Sequence, residues 1–212
     1  TVPKNKRMQY LSIVSQEMQR LKILISSMLN LTKFDNGTIE IHYQLFPIQD
    51  LAFRTILMFE SRLEKRNITL EGLDSEPVQV WGDPDLIGQV IYNLFENATK
   101  FVNTGGTITF TFKDEPNNTS IAIRNTGAGI SKEELPKIFE RFYKSDDSRS
   151  HDKTGLGIGL DITKHIVRLH KAQISVSSEE GEYTEFLIRL PKKDAPAESP
   201  TENPEKQPKD AR

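Results

Sequence analysis

The 212-residue sequence predicts an α/β two-layer sandwich, a mixed β-sheet covered on one face by helices, with a long amphipathic helix in front of it. Three observations carry this reading. Over about residues 8–34 apolar residues recur at alternating steps of three and four, the helical period. At Thr38 the period drops to two, and helical and alternating segments then follow one another to about residue 190. Glycine clusters punctuate the later junctions between strand and helix.

The elements follow in order. Leu11, Val14, Met18, Leu21, Ile25 and Met28 form a heptad seam that Thr32 closes, and Leu24, Leu29 and Leu31 widen it to the stripe of a bundle helix. Asp35-Asn36-Gly37 ends that helix. Its apolar face needs a partner, either a second chain or sequence outside this one. Ile39, Ile41, Tyr43 and Leu45 alternate as a strand that Phe46-Pro47 breaks. A helix runs from about 48 to 66, and short strands lie near 67–71 and 77–82. Asp83-Pro84 opens the next helix, Asp as N-cap and Pro in the first turn, which buries Ile87, Ile91, Leu94, Ala98 and Phe101 or Val102. Strands at 107–113 and 119–124 flank the turn Glu115-Pro116-Asn117-Asn118. A short helix near 131–139, a charged loop, a helix over 158–170 and strands near 172–178 and 184–190 complete the series. These elements divide the chain into an amphipathic segment at 1–36, a folded domain at 37–192 and a tail at 193–212. The tail has prolines at 196, 200, 204 and 208 and no apolar residue larger than alanine, so it cannot bury enough surface to offset its ordering entropy.

Composition narrows the function classes. Lys plus Arg number 28 against 30 Asp plus Glu, which excludes an electrostatically driven nucleic-acid binder. With no cysteine there is no disulfide, thiolate metal site or cysteine nucleophile. No apolar run approaches the roughly 20 residues that span a bilayer, and no secretory leader precedes the first helix. These features predict a cytoplasmic domain cut from a longer protein.

Three segments carry chemistry. Asn93, Asn97 and Lys100 stand at i, i+4 and i+7 of one helix, on a single face opposite the apolar stripe. Two carboxamides and an ammonium there suit a hydrated Mg²⁺ and the phosphates it bridges, although the same face also reads as plain solvated surface. Asn125-Thr126-Gly127-Ala128-Gly129-Ile130 follows a strand, and its glycines permit a tight turn close to a flat ligand. Thr154-Gly155-Leu156-Gly157-Ile158-Gly159-Leu160 leads into an amphipathic helix, placing bare amides and a helix N-terminus where a phosphate can sit. Its spacing fits neither a dinucleotide fingerprint nor a Walker A loop. The polar stretch between the two glycine clusters, which includes Arg141, Tyr143 and Lys144, has the composition of a lid.

In this order and spacing, the segments resemble the ATP-binding catalytic domain of bacterial sensor histidine kinases, within the superfamily that includes gyrase, mismatch-repair ATPases and a heat-shock chaperone. Asn93–Phe101 resembles the N box, Asn125–Ile130 the G1 box, Phe139–Tyr143 the F box and Gly155–Leu160 the G2 box. Gly181-Glu182-Tyr183-Thr184-Glu185-Phe186 resembles the closing G-x-G-T-x-F, with Tyr183 in place of the second glycine. The likeness spans about residues 8–191. It implies that ATP and Mg²⁺ are the cofactors, with Asn97 as the Mg²⁺ ligand supported by Asn93. Lys100 would neutralise phosphate charge, and Phe101 and Tyr143 would lie by the nucleotide. Gly127, Gly129, Ile130 and Thr184 would shape the base side. Gly155, Leu156, Gly157, Ile158, Gly159 and Leu160 would line the triphosphate. Arg141 or Lys144 would reach the γ-phosphate. The implied partners are a response-regulator receiver domain and a second copy of the chain, joined through hairpin helices. Membrane attachment would come only through upstream segments.

Two departures stand out. The family's G1 box usually begins with Asp, which accepts from the adenine amino group; Asn125 stands there, a neutral acceptor that can also donate, so guanine is a conceivable alternative. The phosphoacceptor is the second. His42, His151, His165 and His170 all lie outside a Ser-His-Glu-like box, and residues 8–34 resemble only the second hairpin helix. A hydrolase of the same superfamily is disfavoured, because Asn93 occupies the position of its general-base Glu and Glu96 points about 100° away around the helix. A serine-directed anti-sigma kinase fits the heptad helix and F box poorly. A catalytically impaired nucleotide-binding and dimerisation module is the remaining alternative.

Overall fold

A computed structural model describes residues 40–144 and 157–193, together with helical positions 10, 14, 18, 21 and 25. The seam residues Val14, Met18, Leu21 and Ile25 are helical and exposed by 50 to 66%, as is Tyr10, so the predicted apolar stripe stands open along these positions. The rest of residues 1–39, residues 145–156 and residues 194–212 lie outside the described residues.

The chain from Gln44 onward alternates strand and helix: β1 (Gln44–Pro47), α1 (Ile48–Lys65), β2 (Thr69–Glu71), β3 (Gln79–Gly82), α2 (Pro84–Phe101), β4 (Thr107–Asp114), β5 (Asn118–Thr126), α3 (Gly159–Leu169), β6 (Gln173–Glu179) and β7 (Tyr183–Pro191). Five strands form a mixed sheet in the order β2-β4-β5-β7-β6, with β2 parallel to β4 and every other pair antiparallel. β1 and β3 make a separate antiparallel pair. Alternate residues of the sheet face the helices, among them Ile108, Phe110, Ile121, Ile123, Phe186 and Ile188. Phe59 of α1, Phe95 of α2 and Phe110 of β4 continue the core from layer to layer at centroid distances of 5.4 and 5.5 Å. The expected sandwich is therefore the observed one. No helix of the described residues is long and apolar enough to cross a membrane.

Two expectations need correction. Among the described residues the first strand begins at Gln44, with 40–43 outside any strand and 38–39 outside the described residues, and it includes Phe46 and Pro47, which pair with Val80 and Gln79. Its partner β3 has only four residues, all paired with Gln44–Pro47, and the His42 amide just before them donates to Asp83 Oδ2 at 3.0 Å. The short helix near 131–139 is a run of turns, held by bonds such as Glu134 N and Leu135 N to the Ser131 carbonyl, both at 3.1 Å. Pro136 has no amide with which to extend a helical ladder.

α2 is the central helix. Asp83 caps it, its Oδ1 accepting from Asp85 N at 3.0 Å and Leu86 N at 3.1 Å. At its far end Arg66 reaches the carbonyls of Thr99 and Val102. Val102 is the buried residue of the predicted Phe101/Val102 alternatives, while Phe101 is half-buried.

His170, 2% exposed at the end of α3, accepts from Asp83 N at 3.1 Å through Nε2. Its Nδ1 lies 2.8 Å from the Ile166 carbonyl and must donate, which fixes a neutral tautomer. Burial holds its pKa below the ordinary value of 6.5 despite the opposing Ile166 carbonyl and Asp83 charge. The unfolded chain therefore takes up this proton first, and the stability present above pH 6.5 falls as pH drops from there through the folded pKa. Denaturant titrations between pH 5 and 8 are expected to show an acid-side loss that His170→Phe flattens. The same variant loses about 1–3 kcal/mol at neutral pH, because the Asp83 amide is left without its acceptor.

Candidate functional site

The polar face of α2 meets the start of α3. Asn93, 6% exposed, donates from Nδ2 to the Gly159 carbonyl at 3.0 Å and to Thr163 Oγ1 at 3.4 Å. It is a tie between two helices rather than an open ligand. Asn97, one turn further on, is half-buried, and among the described residues its side chain makes no hydrogen bond. Lys100 pairs with Glu96 at 3.3 Å, which also engages the one carboxylate adjacent to Asn97.

Asn125 and Thr184 are register partners on the helix-facing side of the sheet, 4% and 5% exposed. Asn125 Nδ2 donates to the Thr126 carbonyl at 3.1 Å. A carboxamide oxygen in that place would oppose another acceptor, so the group is oriented with Oδ1 as its remaining acceptor. Ser178, which the sequence reading did not single out, joins this end of the sheet together. Its hydroxyl donates to the Tyr183 carbonyl at 2.6 Å, accepts from Ile130 N at 2.8 Å and lies 3.0 Å from Thr184 Oγ1. The one local signal is a break in alternation: Ile174 and Val176 face the core, and a hydroxyl follows them.

The G1-box glycines are required by the chain's own backbone. A Cβ at Gly127 would lie 2.1 Å from the Phe101 carbonyl oxygen, and one at Gly129, with φ +69°, 2.2 Å from that of Glu179. Gly127 N donates to Glu182 O at 3.0 Å and Gly181 N to Ala128 O at 2.6 Å, clasping the loop to the β6–β7 turn. Tyr183 points to the other face of the sheet, its ring 3.7 Å from the Arg124 guanidinium carbon, so a side chain at the second-glycine position meets no obstacle.

The turn over 139–143 packs against the start of α3. Phe139 meets Phe186 edge-on at 6.2 Å, and Tyr143 Oη donates to Glu134 Oε1 at 3.2 Å. Phe142 N donates to Gly157 O at 3.0 Å, and Gly157 takes φ +68° where a Cβ would lie 2.8 Å from the Tyr143 carbonyl. Arg141 Nε lies 3.0 Å from Asp161 Oδ2, a carboxylate in the first turn of α3. Ile158 is buried, and Leu160 and Lys144 are half-buried. Gly155 and Leu156 lie outside the described residues, as does His151. The other three histidines are a surface residue at 42, the core acceptor at 170, and His165, bonded through Nδ1 to the Asp161 carbonyl at 2.9 Å.

The structure thus joins Asn93 to Gly159 where two helices meet, with Asn97 one turn further along the same face of α2 and Gly157 two residues before Gly159. Asn125, Gly127, Gly129, Ile130 and Thr184 gather at the adjoining end of the sheet, and Gly127 touches the end of α2 through a bridge to Val102. Among the described residues no group of three or more His, Asp or Glu converges to hold a metal ion.

Comparison with known proteins agrees with this arrangement. Residues 82–194 match the family described as Histidine kinase-, DNA gyrase B-, and HSP90-like ATPase. Sensor protein SrrB of Staphylococcus aureus is 33% identical over 183 residues, covering 86% of this chain and 31% of SrrB, so the chain spans about a third of that relative. The catalytic domain of histidine kinase ThkA superposes with a TM-score of 0.61 at 27% identity, covering 71% of this chain and 95% of that domain. ThkA solved with response regulator protein TrrA gives 0.62 at 23%, over 90% and 53% of the two chains. ShkA in complex with AMPPNP shares the fold, with a TM-score of 0.69 at 20% identity over 90% of this chain and 40% of that one. The chain belongs to the histidine kinase-, DNA gyrase B- and HSP90-like ATPase family and contains an ATP-binding catalytic domain of the sensor histidine kinase type.

Proposed function

We propose that the domain binds Mg²⁺-ATP between α2 and the start of α3 and passes the γ-phosphoryl group to a histidine of a hairpin helix, for relay to a response-regulator aspartate. The observation that carries this reading is the Asn93–Gly159 bond, which holds the Asn97 face of α2 beside the glycine-led N-terminus of α3. The residues fit such a ligand. Asn97 offers an amide oxygen not engaged among the described residues, a hard donor suited to Mg²⁺, which keeps several waters. Gly157 and Gly159 bring bare backbone to a helix N-terminus, which favours phosphate. When bound, ATP would supply the transferable phosphoryl group and Mg²⁺ would screen its charge.

The chain's own residues divide the work. Asn93 orients α2 on α3, Lys100 offsets phosphate charge next to Glu96, and Lys144, which follows the turn that abuts Gly157, is assigned to the γ-phosphate. Asn125 presents an acceptor to the base, which suits the amino group of adenine and opposes the O6 acceptor of guanine. Phe101, Tyr143 and Thr184 complete the base side. The open seam on the N-terminal helix supports a homodimer through residues 1–36, and the complexes of ShkA with AMPPNP and of ThkA with TrrA support the nucleotide and receiver partners. In this reading 37–192 is the catalytic domain, 193–212 is a tail, and the domain works in the cytoplasm below a membrane-anchored sensor.

Calorimetric titration of Mg²⁺-ATP is expected to show saturable binding that Asn97→Ala or excess EDTA weakens by about 10- to 100-fold. In competition, GTP is expected to bind about 10- to 100-fold more weakly than ATP, because its O6 leaves the Asn125 acceptor unpaired. With radiolabelled ATP, a separately supplied hairpin domain bearing the phosphoacceptor histidine is expected to become labelled, and the chain itself is not. ATP binding without any transfer to that hairpin would favour the impaired nucleotide-binding module.

A further inference from the structure

Asp161 places a carboxylate, with only 9% of its side chain exposed, in the first turn of the helix whose N-terminus we assign to phosphate. A helix N-terminus carries about half a positive charge, which an acid in that turn consumes and from which it repels a second anion. The carboxylate is held on both sides. Arg141 Nε lies 3.0 Å from Oδ2, and His165 Nδ1 lies 3.3 Å from Oδ1 while also meeting the Asp161 carbonyl. Arg141 arrives by construction, since Phe142 N donates to Gly157 O and Gly157 fits closely under Phe142 and Tyr143. The guanidinium is thus delivered by the turn that abuts the helix start.

We infer that Arg141 is a positioning residue that acts through Asp161, cancelling its charge so that the N-terminus of α3 stays receptive to nucleotide phosphate. This rests on the nucleotide reading above. It differs from direct contact between guanidinium and γ-phosphate, in which Asp161 would only compete for the same group.

A double-variant cycle separates the two. The full chain and the variants Arg141→Gln, Asp161→Asn and the pair are titrated by calorimetry with Mg²⁺-ATP and with adenosine, and thermal unfolding confirms that each is folded. Arg141→Gln is expected to weaken ATP about tenfold and adenosine less than about twofold. Asp161→Asn is expected to bind ATP at least as tightly as the unmodified chain, and the pair to return within about threefold of it. Arg141→Lys, which keeps the charge without the fork, is expected to stay within about threefold and supplies the same test if Arg141→Gln does not fold. A pair as weak as Arg141→Gln would give the guanidinium to phosphate and overturn the inference. Equal losses for ATP and adenosine would overturn it as well, as a collapse of the turn. Absence of ATP binding by the unmodified chain would overturn the nucleotide reading together with it.

Discussion

Two hydrogen bonds fasten α3 to α2, one near each end of α3. The Asp83 amide, just before α2, meets His170 at the close of α3, and Asn93 in mid-α2 meets Gly159 at the opening of α3. The separations nearly match: ten residues along one helix and eleven along the other correspond to about 15 and about 16.5 Å. The two helices therefore lie antiparallel with their register set, and the apolar contacts among Ile87, Val90, Ile91, Ile162 and Ile166 fill in between. Everything at the site inherits this register. Asn97 stands on the same face of α2 as Asn93, one turn beyond the bond to Gly159.

The buried polar groups are placed with economy. Among the described residues no buried side-chain nitrogen or oxygen lacks a partner. Gln49 bridges to the backbone of Glu76 and Val78, Ser178 closes the sheet end, and Arg66 gathers the carbonyls at the end of α2. An unpaired group in such positions costs about 1–3 kcal/mol, so each bond specifies one arrangement of loops over the others. The site's rigidity comes from these bonds together with glycines that touch backbone rather than ligand.

Sequence periodicity was enough to find α1, α2, α3 and the sheet strands, because each buries a continuous stripe against a flat neighbour. The Asp83-Pro84 cap located the start of α2 to the residue. Periodicity misplaced β1, since Ile39, Ile41, Tyr43 and Leu45 alternate like a strand while pairing depends on the distant four-residue β3. The turns at 132–139 looked helical until Pro136 is weighed against the ladder it interrupts. At the candidate site, the residue types of α2 and the glycine clusters were legible. Their partners were not, because Asn93 to Gly159, Arg141 to Asp161 and Ile130 to Ser178 are contacts across 66, 20 and 48 residues that no local pattern encodes.

The cap of α2 has one more consequence. Asp83 spends one carboxylate oxygen on the first turn of α2 and the other on the backbone of His42, while Tyr43 stacks on Trp81 at 5.7 Å and meets the His170 ring edge-on at 5.5 Å. The stretch of chain entering from the N-terminal side is therefore bolted to the same joint that anchors α2 and the end of α3. A mechanical load arriving along residues 40–43 does not dissipate in a slack tether. It passes through the Asp83 carboxylate and the Tyr43 contacts into the helix that bears Asn93 and Asn97.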